Sequence, residues 1–157
     1  MEDFTKMRTW AQVDLNALAH NYHALRALTP AGCKFLGLVK ANAYGHGAVP
    51  VAKKLETLGC DMLAVACLAE AAQLRDAGIT LPILCLGYTP AEHTDLLLKY
   101  RVTQTVGDLE TGLALSDAAQ RAGGVLDIHV KLDTGMGRIG FLWQLDWDNT
   151  AVADHIS

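Results

Sequence analysis

The chain has 157 residues, of which 51% are hydrophobic and 19% charged, and its 13 basic and 17 acidic residues give a net charge of −4. This composition is typical of a globular domain and excludes a fibrous or largely disordered protein. Without a cluster of basic residues, the sequence predicts no nucleic-acid partner and no membrane surface as partner, and its longest uncharged apolar run, residues 62–69, is far shorter than the ~20 residues of a membrane helix.

The amino terminus and the cysteines indicate the compartment. The chain begins Met1-Glu2-Asp3, without the basic and apolar pattern of a secretory signal, so we expect a cytoplasmic protein. Four cysteines lie within apolar stretches: Cys33, Cys60, Cys67 and Cys85. We interpret them as buried, reduced thiols rather than as disulfides, metal ligands or nucleophiles.

Short β-type runs alternate with longer segments of helical periodicity along the chain. Asp14 is a candidate N-cap for a first helix, whose apolar positions form one stripe: Leu15, Leu18, Tyr22, Leu25 and Leu28. Strands are predicted over residues 34–39, 61–65, 81–86, 102–106 and 125–131, with helices over 47–58, 67–77 and 108–122 between them.

Two further helix starts are predicted from capping patterns. Thr89, Pro90 and Glu92 have the spacing of a capping box, with proline at the first helical position. Near the end of the chain, Asn149 or Thr150 is a candidate cap for a helix of two turns or fewer.

Strands that are joined by helices indicate an α/β fold built from parallel βα units. Periodicity alone leaves two architectures open, the open doubly wound sheet and the (β/α)8 barrel. Five predicted strands are enough for an open sheet, but a closed barrel needs eight strands and typically ~250 residues. In both architectures, functional side chains collect at the carboxyl ends of the strands.

The stretch VKANAYGHG, residues 39–47, follows the first predicted strand and carries the first group of candidate residues. In a site of low polarity, Lys40 would have a lowered pKa, which frees its amine to attack a carbonyl group. Tyr44 is a candidate for binding a phosphate, and His46 for a base or a metal ligand. The alternatives are an ordinary lysine pointing into water, a buried tyrosine bonded to backbone, and a histidine without a chemical role.

The stretch KLDTGMGR, residues 131–138, has the same layout after the fifth predicted strand. Gly135 and Gly137 allow the backbone to approach a ligand closely, and Arg138 presents a planar group that binds carboxylate or phenolate oxygens. Lys131 would share this site. The alternative is a solvated turn with flanking charges.

Taken together, the two stretches closely resemble, in sequence, order and spacing, the two signatures of bacterial alanine racemases. The resemblance extends to TWAQVDL, residues 9–15, and covers residues 8–141. It implies that the βα units form part of a (β/α)8 TIM-type barrel that binds pyridoxal 5′-phosphate. Residues 1–157 would then be the N-terminal portion of that barrel, incomplete at its C-terminus and without the C-terminal β domain of the family.

The same resemblance implies a role for each matching residue. Lys40 corresponds to the catalytic lysine that binds the cofactor as a Schiff base and acts as one of two bases at the α-carbon. Tyr44 corresponds to a tyrosine that contacts the cofactor phosphate. Arg138 corresponds to a substrate-binding arginine near the cofactor's phenolic oxygen, and Lys131 to a lysine that is carboxylated at its amine in many members. No metal is implied.

The implied function is the interconversion of L-alanine and D-alanine, which supplies D-alanine for peptidoglycan. Family members are homodimers in which the second base, a tyrosine, comes from the partner's C-terminal domain, so we expect weak or no activity from this chain alone. The alternatives are a serine or broad-specificity amino-acid racemase, a truncated module that binds the cofactor without catalysis, and an unrelated α/β phosphate-binding protein.

Overall fold

The computed structural model describes residues 8–157, so the Met1-Glu2-Asp3 segment lies outside the described residues. Five strands form one sheet in the order β1-β2-β3-β4-β5, and every neighbouring pair is parallel. Their bounds are β1 (Leu36–Leu38), β2 (Met62–Val65), β3 (Ile83–Cys85), β4 (Val102–Val106) and β5 (Ile128–Val130). The predicted parallel βα organisation is therefore confirmed.

Helices precede the sheet and connect its strands. Their bounds are α1 (Leu15–Ala27), α2 (Lys40–Tyr44), α3 (Ala48–Thr57), α4 (Leu68–Asp76), α5 (Thr94–Lys99), α6 (Leu109–Arg121) and α7 (Thr150–Ile156). Two short strands, β6 (Leu132–Asp133) and β7 (Phe141–Leu142), form a separate parallel pair. None of the helices among residues 8–157 is both long enough and apolar enough to cross a membrane.

The order of the strands distinguishes between the two architectures that the sequence left open. Each strand pairs with the next one in the chain, as Leu38 pairs with Ala64, Ala64 with Leu84, and Leu84 with Thr103. A doubly wound sheet reverses its strand order at a switch point, whereas a barrel adds its strands in sequence. The observed order favours the barrel.

The core lies between the sheet and its helices. Leu63 and Ile83 are fully buried on the sheet, and Leu74, Leu97 and Leu115 are buried on α4, α5 and α6. Alternate residues of a strand point to the same face, so the strands supply one apolar row each to this layer. The packing holds the carboxyl ends of the strands at one edge of the sheet.

Local capping explains where two of the helices begin. The Asp14 carboxylate accepts the Asn16 N–H at 2.7 Å, as its predicted N-cap role requires. Asp108 caps α6 in the same way and accepts the Thr111 N–H at 2.7 Å. The apolar stripe predicted for α1 is only partly buried: Tyr22 is buried, but Leu28 is 82% exposed because it lies at the C-terminal end of the helix.

Three local predictions are wrong in whole or in part. The capping box is absent, because residues 91–93 form a single 3-10 turn after Pro90, and the Thr94 hydroxyl instead donates to the Ala91 carbonyl at 2.7 Å. The short helix α7 begins where predicted, with Asn149 at the N-cap position, but neither the Asn149 nor the Thr150 side chain caps it. The Asp148 carboxylate accepts the Thr150 N–H instead, at 3.0 Å.

The third correction concerns the cysteines. All four are free thiols, as predicted, and Cys60 and Cys85 are buried. Cys33 and Cys67 are exposed; Cys33 lies in the connection before β1, and Cys67 is the residue before α4. The apolar residues near Cys33 and Cys67 in the sequence therefore did not indicate burial of these two side chains.

Candidate functional site

Lys40 is the first residue beyond the paired part of β1. The Val39 N–H donates to the Ala64 carbonyl at 2.9 Å, so pairing with β2 continues up to the residue before Lys40. The lysine is half-buried, and its Nζ lies 6.0 Å from the centre of the Tyr44 ring. Within residues 8–157, Lys40 forms no ion pair. The amine and the phenol therefore lie side by side at the carboxyl end of β1.

The segment that carries these two side chains has an unusual backbone. Residues 41–44 all have φ between 50° and 54°, in the left-handed region. For L-residues other than glycine this conformation costs roughly 1–2 kcal/mol each, and only Asn42 has a side chain that tolerates it well. A left-handed turn of this kind persists only where surrounding contacts hold it.

Hydrogen bonds on both sides hold the left-handed turn. The Ala43 N–H donates to the Val39 carbonyl at 2.9 Å, which joins the turn to β1. On the other side, the Asn42 Oδ1 atom accepts the Ala48 N–H at 2.8 Å, at the first residue of α3. The Gly47 N–H also donates to the Asn42 carbonyl at 2.9 Å. The turn is thus attached to the strand before it and to the helix after it.

Glu70 provides a third attachment, from a neighbouring βα unit. Its Oε1 atom accepts the Ala41 N–H at 2.7 Å, and its Oε2 atom accepts the Ala66 N–H at 2.7 Å. One carboxylate therefore links the residue after Lys40 to the end of β2. Glu70 was not recognisable from the sequence, because it follows Cys67 at the start of α4, and cysteine is not a typical capping residue.

His46 lies next to the left-handed turn and is exposed. Its Nδ1 atom is 3.0 Å from the Ala43 carbonyl, and its own N–H donates to the same carbonyl at 3.1 Å. Its ring is thus oriented by the turn. Within residues 8–157, no group of three or more His, Cys, Asp or Glu side chains is placed to hold a metal ion.

The second stretch begins at the end of β5, at the same edge of the sheet as Lys40. The half-buried Lys131 donates its N–H to the Val106 carbonyl at 2.9 Å. The loop that follows, residues 133–138, folds around the buried Asp133 carboxylate, which accepts the N–H groups of Gly137 at 3.0 Å, Gly135 at 3.0 Å and Arg138 at 2.8 Å. The Arg138 side chain is exposed, and no hydrogen bond joins it to Lys131 in the part of the chain that the structure describes.

A cavity of about 690 Å³ lies between α1 and β1. Leu18, Tyr22, Leu36 and Leu38 contribute to its walls, and it extends to Tyr44 and His46. Lys40, Lys131 and Arg138 do not line it. Of the candidate residues, Tyr44 and His46 therefore border the cavity, whereas Lys40, Lys131 and Arg138 lie outside it.

Replacing Asp133 with asparagine is expected to loosen the loop of residues 133–138. The backbone N–H groups of Gly137, Gly135 and Arg138 hold the pKa of Asp133 below its ordinary value of 3.8. A carboxylate with a lowered pKa stabilises the folded loop above that ordinary value, and the contribution is lost as the pH falls through the lowered pKa. In Asp133→Asn the amide offers only one acceptor oxygen, so this pH-dependent stabilisation disappears.

Hydrogen–deuterium exchange of the Gly135, Gly137 and Arg138 amides measures this effect. In the unmodified chain we expect protection at neutral pH that declines in acid, and in Asp133→Asn little protection at either pH. Asp148→Asn is the control, because Asp148 also accepts a nearby N–H but belongs to the start of α7. Equal protection in the Asp133 variant and the unmodified chain would show that the carboxylate does not hold the loop.

Comparisons with known proteins place these features in a family. The family model described as alanine racemase, N-terminal domain, matches residues 13–156. The alanine racemase of Desulfovibrio desulfuricans is 48% identical over 131 residues, which cover 83% of this chain and 35% of that protein. That of Clostridium perfringens is 48% identical over 133 residues, covering 85% of this chain and 34% of that protein. The chain spans about a third of the length of these relatives.

Solved structures give the same result for the fold. The alanine racemase of Clostridium difficile 630 superposes with a TM-score of 0.84 at 47% identity, covering 87% of this chain and 36% of that one. A histidine racemase from Leuconostoc mesenteroides superposes with a TM-score of 0.79 at 29% identity, covering 90% of this chain and 37% of that one. The five parallel strands and their helices thus correspond to part of the N-terminal barrel of the racemases, as predicted.

Proposed function

Because this chain belongs to the alanine racemase family, we propose that it is the cofactor-binding N-terminal portion of a pyridoxal-phosphate-dependent alanine racemase. The observation that carries the proposal is the placement of Lys40 beside Tyr44 at the carboxyl end of β1, with the Lys40 Nζ atom 6.0 Å from the tyrosine ring. The cytoplasmic location, the homodimeric assembly and the supply of D-alanine for peptidoglycan belong to the same proposal and rest on family membership.

The residues at this edge of the sheet fit pyridoxal phosphate by their chemistry. An aldehyde requires a primary amine that is not engaged with a carboxylate, and Lys40 has no ion-pair partner within residues 8–157. A phosphate requires hydrogen-bond donors, and the Tyr44 phenol is 59% exposed. Lys40 would hold the aldehyde carbon of the cofactor and Tyr44 its phosphate.

The residues of the two stretches, 39–47 and 131–138, have different proposed roles. When bound, the cofactor supplies a conjugated ring that accepts electrons as the α-proton of the amino acid leaves. Lys40 takes or returns that proton at the α-carbon through its Nζ atom. Arg138, in the loop that Asp133 holds, orients the substrate carboxylate, and Lys131 supports Arg138 if its amine is carboxylated. A carboxylated amine is an anion, which a guanidinium beside it stabilises.

Alanine is the proposed substrate. Relatives at 48% identity are named alanine racemases, whereas the histidine racemase is 29% identical. One solved structure of the Clostridium difficile alanine racemase is a complex with cycloserine, at 47% identity and covering 87% of this chain. The names of these relatives are what supports alanine as the substrate.

Replacing Lys40 with alanine is expected to abolish covalent attachment of the cofactor, because the side chain holds the proposed reactive amine. The purified chain is mixed with pyridoxal phosphate and reduced with borohydride, and the modified lysine is located by peptide mass. Lys99→Ala is a matched control, since the Lys99 Nζ atom also lies over a tyrosine ring, 5.1 Å from the centre of Tyr100.

We expect modification confined to Lys40 in the unmodified chain and in Lys99→Ala, and none in Lys40→Ala. Labelling that is spread evenly over the lysines, or that persists in Lys40→Ala, would contradict the proposal. Incubation with alanine and pyridoxal phosphate in heavy water distinguishes a racemase, which releases deuterium-labelled alanine, from a module that only binds the cofactor and releases none. The same assay with serine tests the broader specificity.

A further inference from the structure

The carboxylate of Glu70 links two strand ends at the site. Glu70 lies in the first turn of α4 (Leu68–Asp76). It accepts the Ala66 N–H, which precedes that helix, and the Ala41 N–H, which is 29 positions away in the chain. Both donor–acceptor distances are 2.7 Å, as expected for bonds to a charged acceptor.

The Ala41 bond acts on the left-handed turn at its first residue. Ala41 has φ 50° and ψ 49°, a conformation that its side chain does nothing to favour. It also follows Lys40 directly, and its N–H belongs to the peptide group that joins the two residues. A carboxylate that accepts this N–H restrains that peptide group, and with it the backbone between Lys40 and the left-handed turn.

We infer that Glu70 is a positioning residue for Lys40, acting through the left-handed turn. This inference rests on the proposed function for its biological meaning, but the positioning itself is a property of the chain without cofactor. Lys40 is the group that touches the cofactor, and Glu70 keeps its amine beside Tyr44. The link to Ala66 makes β2 the fixed support, because β2 is paired on both sides within the sheet.

Glu70→Gln is the variant that tests the inference. The side chain keeps its length, but only one of its two terminal atoms still accepts a hydrogen bond, and its NH₂ group would face one of the two backbone donors. Glu110→Gln is the matched control, because Glu110 lies in the first turn of α6 and its side chain makes no hydrogen bond within residues 8–157. Both variants remove one negative charge from a helix N-terminus.

The first measurement needs no cofactor. In a lysine-labelled chain, the NMR signal of the Lys40 ε-methylene, assigned with Lys40→Arg, reports the nearby Tyr44 ring. We expect this signal to move toward the position of a free lysine in Glu70→Gln and to stay in place in Glu110→Gln. Circular dichroism establishes that each variant is folded. Should Glu70→Gln not fold, Glu70→Asp replaces it, since the shorter side chain keeps the charge but cannot reach both amides.

The second measurement uses pyridoxal phosphate. Loss of one bond to a charged acceptor is expected to raise its dissociation constant about tenfold in Glu70→Gln, with no change in Glu110→Gln. An unchanged Lys40 signal together with unchanged cofactor affinity in a folded Glu70 variant would overturn the positioning role. A chain without any Lys40 adduct, whose Lys40 signal still responds to Glu70→Gln, would refute the proposed function and leave the positioning role supported.

Discussion

A Gly140→Ala chain is expected to lose about 3 kcal/mol of its free energy of unfolding, with the loop of residues 133–138 displaced. Gly140 has φ 134°, which L-residues with a side chain rarely adopt. A Cβ atom there would also lie 2.7 Å from the Asp133 nitrogen and 2.9 Å from the Lys131 carbonyl oxygen. These are backbone atoms of the segment that carries the second group of candidate residues, and they have no rotamer by which to move away.

Gly135→Ala is the control, because it introduces the backbone strain of a positive φ without the steric clash. Gly135 lies in the loop of residues 133–138 and has a similar φ of 138°, but a Cβ atom there would meet no atom within 4 Å. The free energy of unfolding, measured in urea for both variants and the unmodified chain, should be much lower in Gly140→Ala than in Gly135→Ala. If the two variants were equally stable, the close approach of Gly140 to Asp133 and Lys131 would not matter for folding.

Replacing Arg75 with methionine is expected to lower the free energy of unfolding by about 3 kcal/mol. The guanidinium donates to four backbone carbonyls: those of Tyr100 at 2.8 Å, Ile79 at 2.8 Å, Leu81 at 2.7 Å and Arg101 at 3.1 Å. It thereby fastens the connection before β3 to the connection before β4. Methionine fills a similar volume but leaves these carbonyls without their donor.

Arg121→Met is the control for this change. Arg121 occupies the corresponding last turn of α6 and is exposed, with no side-chain hydrogen bond in the described range 8–157. Thermal unfolding followed by circular dichroism should show a large loss for the Arg75 variant and almost none for the Arg121 variant. Similar losses in both would mean that removal of a positive charge, rather than of the carbonyl bonds, is the cause.

Most of the secondary structure was predictable because it depends on local patterns. The strand over residues 102–106 has the bounds that the sequence predicts, and α1 begins at its predicted cap, Asp14. The other strands are shorter than predicted at their ends, although interstrand hydrogen bonds continue past β1 at Val39 and past β5 at Lys131. The predicted capping box failed at Thr89, which is buried and caps no helix.

The candidate site was predictable in its composition but not in its backbone. The residue types and spacing of the two stretches indicated the family, and both follow strands, as predicted. The left-handed turn was not predictable, because Ala41, Ala43 and Tyr44 have no preference for positive φ. Its conformation depends on bonds to β1, α3 and Glu70, which lie outside the turn.

Local periodicity, glycines and caps thus sufficed to identify the five strands of the parallel sheet in an α/β fold, and the motif pair sufficed to identify its family. Apolar residues that recur every two residues in a strand, or every 3.6 residues in a helix, indicate which face of the element is apolar. This pattern is contained within one short segment of the sequence. The contacts of Glu70 with Ala41, of Arg75 with Tyr100 and of Gly140 with Asp133 depended on the packed structure. Each joins segments whose separation is set by how strands and helices pack, and hydrogen bonds and steric contacts are sensitive to a few tenths of an ångström in that separation.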